Sequence, residues 1–460
     1  MPADSTAPTT CSIRPPWLPR RAATPALRKL VLLPLIAATY FMVAGGPYGL
    51  EDIIGKAGYS TALLILLILP FFWSLPTSLM IGELAAAIPS EGGFYAWVRR
   101  ALGPFWGFQE AWLSLAASVF DMAIYPRIFT DYLTSIQPDW TAGHRGLLWG
   151  LAIVLLCTLW NLRGAHSVGR GSEWFFVILF LPFAVMIALG LCHGIAAHSL
   201  GLLTHRAPAT DLTGALLFAL WNYMGWDKAS TVAQEVEHPQ RNYPIAMLAA
   251  AALVAGSYVM PLAAVAIAGI PADQFTSGAW TAAGLTLGGH WLAIAIALGG
   301  LLTGVAMFNA LSMSYTRLPF AMAVDGLLPR LFTRRLANGA PWAAILLCSA
   351  AWALALQFTF ERLITMDLVL YGLSLILEFV ALVVLRLREP HLPRPFRVPG
   401  GLAGVIIVGL LPTALILWAI YISRDERFAS LPAWLFAAIV AAAGAALYLV
   451  ARLNTKAAQT

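Results

Sequence analysis

The sequence predicts an all-α integral membrane protein with twelve transmembrane helices, arranged as two inverted five-helix repeats followed by two more helices. Three observations predict this class. The 460 residues are 60% hydrophobic and only 11% charged, whereas soluble domains are about 45 to 50% apolar and about 25% charged. Apolar stretches long enough to cross roughly 30 Å of hydrocarbon recur along the chain. Helix-breaking residues interrupt two of these stretches at corresponding positions, and a water-soluble globular protein is excluded.

The predicted elements follow from apolar runs bounded by polar, Gly or Pro residues. Residues 1–29, rich in Pro, Thr, Ala and Arg, are expected to form a disordered basic cytoplasmic tail. The first five-helix repeat is expected at 30–192, the second at 212–387, helices 11 and 12 at 402–452, and a short cytoplasmic tail at 453–460. The twelve spans are predicted at 30–55, 60–88, 105–133, 146–162, 170–192, 212–236, 243–270, 290–317, 341–358, 363–387, 402–422 and 432–452.

The distribution of basic residues predicts the orientation of the chain. With a cytoplasmic amino terminus, 20 Lys and Arg residues fall in the tails and inner loops and 6 in the outer loops. Cytoplasmic loops of membrane proteins carry the excess of positive charge. Both termini are therefore expected in the cytoplasm, with the protein in the inner or plasma membrane.

Two spans contain residues that oppose a continuous helix. Span 1 contains the run Gly45-Gly46-Pro47-Tyr48-Gly49, and span 6 changes character between Trp221 and Lys228. Gly and Pro weaken a helix interior by about 1 and about 3 kcal/mol. Interrupted helices at equivalent positions of two inverted halves indicate a transporter site near the bilayer midplane. The alternative is that the glycines permit close packing and Pro47 merely kinks its helix.

Several segments carry a recognisable family pattern. They are Gly82 to Pro89, Gly92 to Trp97, Gly103 to Gly107, Glu235 to Pro244, and Arg317 with Ala323 to Pro329. The chain resembles the amino acid, polyamine and organocation (APC) superfamily of permeases through these segments. Three further segments resemble the polyamine uptake transporters of plants and their microbial relatives: Gly46 to Asp52, Asp121 to Leu133, and Trp221 to Thr231. Span 5 lacks the lysine that many amino acid permeases of the superfamily carry, so that residue's role cannot be transferred.

The resemblance implies a secondary active transporter that imports polyamines or related organic cations by alternating access. An amino acid permease, acting as symporter or exchanger, is the alternative, and a non-transporting nutrient sensor is a further one. The expected partners are a small cationic substrate, a coupling proton and the lipid bilayer, with no cofactor, metal or nucleic acid; the oligomeric state stays open. No HExxH motif or phosphate-binding loop indicates an enzyme.

Intramembrane charges and aromatic rings near the two breaks are the candidate substrate-binding residues. A charge at the bilayer centre costs roughly 2.5 to 3.5 kcal/mol, so it indicates function. Aromatic faces attract ammonium groups by about 0.5 to 2 kcal/mol each, although packing alone would also explain them. The residues expected to bind substrate are Gly45, Gly46, Tyr48, Asp121, Tyr125, Trp221, Asn222, Tyr223, Trp226 and Asp227.

The chemistry of these residues favours a cation without a carboxylate. Pro47 lacks an N–H donor, and the ring of Tyr48 occupies space where a substrate carboxylate would meet the first break. Asp121 could instead pair with Arg127 or a neighbouring helix. Lys228 is expected to be the structural partner of a nearby carboxylate, because a free cation would repel a cationic substrate.

The candidate coupling or gating residues are Glu51, Asp52, Glu83 and Glu110. Glu83 is equally compatible with a structural role, and Glu110 is expected near the cytoplasmic end of span 3, within reach of water. Ser312 and Ser314 lie towards the cytoplasmic end of span 8, separated by Met313, which favours proton over sodium coupling. Glu173, Asp367 and Glu378 have no partner that the sequence indicates.

Overall fold

The computed structural model describes residues 29–90, 92–197, 210–428 and 431–457, which form a bundle of α-helices. Residues 1–28 of the predicted tail at 1–29 and the last three residues lie outside this part of the chain. The α-helices in chain order are α1 (Leu32–Val43), α2 (Glu51–Phe72), α3 (Ser74–Ala87), α4 (Phe94–Leu102), α5 (Pro104–Ile136), α6 (Arg145–Asn161), α7 (Ala165–Ala197), α8 (Leu212–Asn222), α9 (Pro239–Ile267), α10 (Ala279–Gly288), α11 (His290–Tyr315), α12 (Arg317–Val324), α13 (Trp342–Leu354), α14 (Phe360–Arg388), α15 (Gly401–Ile422) and α16 (Ala433–Ala457).

Short elements complete the fold. Two 3₁₀ segments, Trp226–Thr231 and Ala233–Glu235, join α8 to α9. A two-residue antiparallel ladder pairs β1 (Arg427–Phe428) with β2 (Leu431–Pro432) before α16. Helix α16 extends to Ala457, beyond the predicted start of the tail at 453, because no Gly or Pro follows Leu453 to end it.

Seven helical stretches of the described chain are long and apolar enough to cross a membrane. They are Glu51–Ala87, Ala165–Gly194, Pro239–Ile267, His290–Val324, Arg362–Arg388, Gly401–Ile422 and Ala433–Leu453. Leu32–Val43, Arg145–Asn161 and Trp342–Gln357 are shorter apolar helices. The protein is therefore an all-α, multi-pass membrane protein, and the count of twelve spans in inverted repeats stays a prediction.

The first interruption separates α1 from α2. Helix α1 ends at Val43 and α2 begins at Glu51. Gly46 and Gly49 within the connection have φ angles of 78° and 92°, which favour glycine. Gly58 has non-helical angles (φ 70°, ψ 168°) and bends the chain between residues Glu51–Ala57 and the rest of α2.

The second interruption follows α8. Gly225 has a φ of 93°, and a Cβ atom there would lie 2.2 Å from the carbonyl oxygen of Met42 in α1. The backbones of the two interrupted segments therefore touch, and only glycine fits between them. The chain continues as 3₁₀ helix from Trp226, where the sequence predicted only a break in span 6.

Two long helices position the site between these interruptions. Helix α5 packs against both α14 and α11. Asp121 of α5 neighbours Asp367 of α14, while Glu110 of α5 neighbours Glu378 of α14. The order of these residues is opposite in the two helices, so α5 and α14 run antiparallel.

Glu83 anchors α3 to the end of α14 and to the segment that follows it. Its carboxylate accepts hydrogen bonds from Arg386 at 2.5 and 2.6 Å and from the backbone N–H of Val398 at 2.7 Å. Arg394 approaches it at 3.1 Å. With its charge compensated by two guanidinium groups, the geometry of Glu83 matches the structural alternative for this gating candidate.

Candidate substrate and coupling sites

A narrow cavity lies between the two interruptions, with room for about one water molecule. Each of the elements α5, α11 and α14 contributes residues to it. The lining residues are Met42, Val43, Gly45, Tyr48, Asp121, Tyr125, Trp221, Asn222, Met224, Gly225, Lys228, Met307, Tyr315, Asp367 and Tyr371. The structure thus brings six of the predicted binding residues to one cavity: Gly45, Tyr48, Asp121, Tyr125, Trp221 and Asn222.

Asp121 lies on this cavity, held by two tyrosine hydroxyl groups. Tyr125 donates to Oδ1 at 2.6 Å and Tyr315 donates to Oδ2 at 2.9 Å. The alternative pairing with Arg127 is wrong, because that guanidinium pairs with Asp131 one turn further along α5, at 3.2 Å. Both tyrosines orient the carboxylate without neutralising its charge.

Asp367 is a cavity residue for which the sequence indicated no role. It is buried on α14 and interacts electrostatically with Asp121. Its Oδ1 atom has no hydrogen-bond partner within the described chain. A buried carboxylate oxygen without a donor is costly unless a cation or a proton meets it. Asp367 therefore offers the cavity an uncommitted acceptor.

Lys228 and Asp227 form a buried ion pair beside the cavity. Their side chains are 1% and 0% exposed, and Nζ lies 2.7 Å from Oδ2 of Asp227. The ammonium group also donates to Ser114 at 3.0 Å and faces the rings of Phe94, Tyr315 and Tyr371 at 4.6 to 5.1 Å. As predicted, Lys228 is the partner of a carboxylate.

Asp227 differs from its predicted position at the substrate. Its Oδ1 atom accepts a hydrogen bond from Tyr371 at 2.6 Å and its Oδ2 atom is taken by Lys228, and it is not among the described lining residues. Tyr371 in turn accepts the N–H of Gly225 at 3.2 Å. The 3₁₀ geometry turns Asp227 away from the cavity, while its neighbour Lys228 reaches the lining.

Gly46, Tyr223 and Trp226 lie behind the lining. A Cβ at Gly46 would meet the side chain of Leu179, the Tyr223 hydroxyl donates to the carbonyl of Leu66 at 2.8 Å, and Trp226 is fully buried. For Gly46 and Tyr223 the observed contacts are with other parts of the protein, and none of the three residues lines the cavity.

Glu51 accepts a hydrogen bond from a backbone N–H group at the first interruption. Its carboxylate accepts the N–H of Gly49 at 2.7 Å and that of Gly278 at 3.3 Å, and it also accepts from the Tyr132 hydroxyl. One of the backbone N–H groups that could bind a substrate carboxylate is therefore already hydrogen-bonded to Glu51. Asp52, the neighbouring coupling candidate, lies half-buried in the first turn of α2.

Glu110 is not within reach of water, in contrast to the prediction. It is 0% exposed, because α4 and α14 pack against this part of α5. Neither of its carboxyl oxygens has a hydrogen-bond partner within the described chain, and the same holds for Glu378 of α14. Both interact electrostatically with Lys228.

One sequence signal could have indicated Asp367 and Glu378. Glu110 and Asp121 are eleven residues apart in span 3, and Asp367 and Glu378 have the same spacing in span 10. Eleven residues are about three turns of α-helix, so each pair lies on one helix face. Equal spacing of carboxylates in two apolar spans predicts that the spans pack together at two levels.

Comparisons with known proteins agree with this architecture. The family model described as amino acid permease matches residues 35–451. A probable polyamine transporter of Arabidopsis thaliana is 35% identical over 401 residues, covering 86% of this chain and 79% of the relative. The polyamine transporter PUT1 of Oryza sativa subsp. japonica is 35% identical over 391 residues, 85% of this chain and 73% of that protein. The polyamine transporter RMV1 of Arabidopsis thaliana is 32% identical over 392 residues, 85% of this chain and 80% of that protein. The chain belongs to the amino acid permease family of membrane transporters.

Proposed function

We propose that this permease imports polyamines or related organic cations by proton-coupled secondary transport with alternating access. The observation that carries the proposal is the pair of carboxylates, Asp121 and Asp367, on one cavity from two packed helices. An ammonium group leaving water loses several kcal/mol of solvation unless a carboxylate meets it. Two carboxylates supply one counter-charge for each end of a diamine.

The charges around the cavity support a dicationic substrate. Lys228 is the cation among the described lining residues, and Asp227 compensates it. Asp121 and Asp367 then leave about two negative charges for the substrate. The rings of Tyr48, Tyr125 and Trp221 add π faces that favour ammonium groups.

An amino acid is the second candidate substrate, and Lys228 is the observation that favours it, because its ammonium group reaches the cavity lining. Two features oppose this candidate. Asp227 already neutralises Lys228, and Glu51 takes the N–H of Gly49 at the first interruption. A substrate carboxylate would compete with both protein carboxylates.

We further propose that the chain crosses the inner or plasma membrane twelve times, with both termini cytoplasmic. The interruptions after α1 and α8 are in contact, as expected for corresponding helices of two inverted repeats. Pairing of α5 with α14, the third and tenth predicted spans, brings the two halves together at the cavity. Ten of the twelve predicted spans coincide with the seven apolar stretches and the three shorter ones, and the other two coincide with α5 and α8.

Uptake into proteoliposomes tests the proposed function. Purified protein is expected to exchange labelled putrescine across vesicles preloaded with unlabelled putrescine, and excess ornithine should compete far less than cadaverine. Accumulation should rise with a pH gradient, acid outside, and ignore sodium. A strict sodium requirement would reject proton coupling, and flux of amino acids without diamine flux would favour the second candidate.

The first interruption supplies a prediction about selectivity. Replacing Pro47 and Tyr48 together by alanine adds a backbone N–H donor and removes an aromatic ring. The inhibition constant of ornithine should therefore fall about tenfold relative to that of putrescine. The measurement is the ratio of inhibition constants in putrescine exchange. The matched control is Pro412→Ala with Tyr421→Ala on α15, outside the cavity lining. An unchanged ratio in the folded double variant contradicts this account of selectivity.

A further inference from the structure

We propose that Glu110 and Glu378 form the proton-binding site of the carrier, at a level separate from the substrate cavity. This inference rests on the proposed cation transport, for which it names the coupling site. Both residues are buried in the contact between α5 and α14, and neither lines the cavity.

The two helices hold carboxyl groups at two levels. Asp121 and Asp367 form the upper pair at the cavity, and Glu110 and Glu378 form the lower pair, eleven residues away on each helix. This spacing corresponds to about 16 Å along an α-helix and to about three turns. Because eleven residues are about three whole turns, the same faces of α5 and α14 meet at both levels.

The lower pair has the properties of a proton site. Glu110 and Glu378 are each 0% exposed, and all four carboxyl oxygens lack hydrogen-bond partners within the described chain. An ionised carboxylate buried without donors is costly, and two neighbouring ones repel each other. A proton bound to each carboxylate removes both penalties. A metal ion fits less well, since the described residues contain no group of three or more metal-ligating side chains.

In the described part of the chain, few charged or titratable groups interact with this pair. They are Lys228 and Asp227 of the 3₁₀ segment, Tyr95 of α4 and Tyr371 of α14. Lys228 is already compensated by Asp227 at 2.7 Å. If both glutamates were ionised, the cluster would hold about two uncompensated negative charges away from water. Uptake of one proton by each glutamate neutralises the cluster.

Lys228 connects the two levels. Its ammonium group interacts electrostatically with Glu110 and Glu378 below and with Asp121 and Asp367 above. A dication in the cavity changes the electrostatic potential at the Lys228 ammonium group. Protonation of Glu110 and Glu378 changes the potential at the same group. Linkage makes this influence reciprocal, so substrate and proton affect each other's binding without sharing a ligand.

The test separates coupling from substrate binding. In proteoliposomes, Glu110→Gln, Glu378→Gln and the double variant keep the size and hydrogen-bonding shape of each side chain but cannot release a proton. We expect putrescine exchange without a gradient to stay within about threefold of the parent protein. Accumulation driven by a pH gradient should fall at least about tenfold, and putrescine entry should no longer acidify vesicles that contain a pH-sensitive dye. Glu237→Gln, on a half-exposed side chain outside the helix contact, is the matched control.

Three outcomes would overturn the inference while leaving cation transport in place. They are gradient-driven accumulation that survives in the double variant, parallel loss of exchange and accumulation in both single variants, and sodium-driven accumulation by the parent protein. Absence of putrescine exchange by the parent protein would instead reject the proposed function. Exchange by the parent protein therefore tests the proposed function, and accumulation by the variants tests the proton site.

Discussion

Asp227→Asn is expected to reduce diamine binding and transport at least about tenfold, equivalent to about 1.4 kcal/mol. Asp227 meets Lys228 at 2.7 Å in a fully buried pair. Removing one partner of a buried pair leaves an uncompensated charge. Here that charge is a cation on the wall of the cavity, where it repels a cationic substrate. The measurements are equilibrium binding of labelled putrescine and exchange in proteoliposomes.

A second variant distinguishes this account from direct contact between Asp227 and the substrate. Adding Lys228→Met to Asp227→Asn removes both charges, and replacing a buried ion pair by apolar groups is often neutral for stability. Binding should then return to within about threefold of the parent protein. If the folded double variant binds as poorly as Asp227→Asn alone, Asp227 itself holds the substrate and the compensation account is wrong.

Asp121→Asn and Asp367→Asn are each expected to weaken diamine binding about tenfold and monoamine binding less than about threefold. Each substitution keeps the size of the side chain and removes one of the two carboxylates on the cavity. A diamine then has one ammonium group without a counter-charge, whereas a monoamine can use the remaining carboxylate. Competition by putrescine and by butylamine against labelled putrescine measures the two effects.

The control for this pair is Asp139→Asn, on an exposed residue outside the cavity. Equal losses of binding affinity for monoamines and diamines in both variants would contradict the binding of each ammonium group of a diamine by a separate carboxylate. Loss of diamine binding in Asp121→Asn alone would mean that Asp367 has no part in binding.

The sequence carries much of the fold because local composition determines it. The helix predicted at 105–133 occupies Pro104–Ile136, with Pro104 at its first turn, where a missing N–H is harmless. The first interruption lies where Gly and Pro oppose a helix, and the second lies at Gly225. The 3₁₀ form of Trp226–Thr231 was not predictable, because apolar patterning does not separate 3₁₀ from α-helix over six residues.

The site was less accessible to sequence reasoning because its pairings are long-range. Asp121 was found from its charge in an apolar span, but its contact with Tyr315 joins residues 194 positions apart. Asp227 and Lys228 are adjacent in sequence, and only the turn of the 3₁₀ segment decides which one faces the cavity. Asp367 could be seen as a buried charge, yet its partner depends on how α14 packs against α5.

The contact of Gly225 with the carbonyl oxygen of Met42 has a consequence for choosing comparable carriers. Any side chain at position 225 would force the two interrupted segments apart, since a Cβ there would lie 2.2 Å from that oxygen. A related chain with all the acidic residues but alanine at this position would hold them at different separations. Glycine at the equivalent of Gly225 is therefore a more stringent criterion for grouping sequences by substrate than the number of carboxylates they contain.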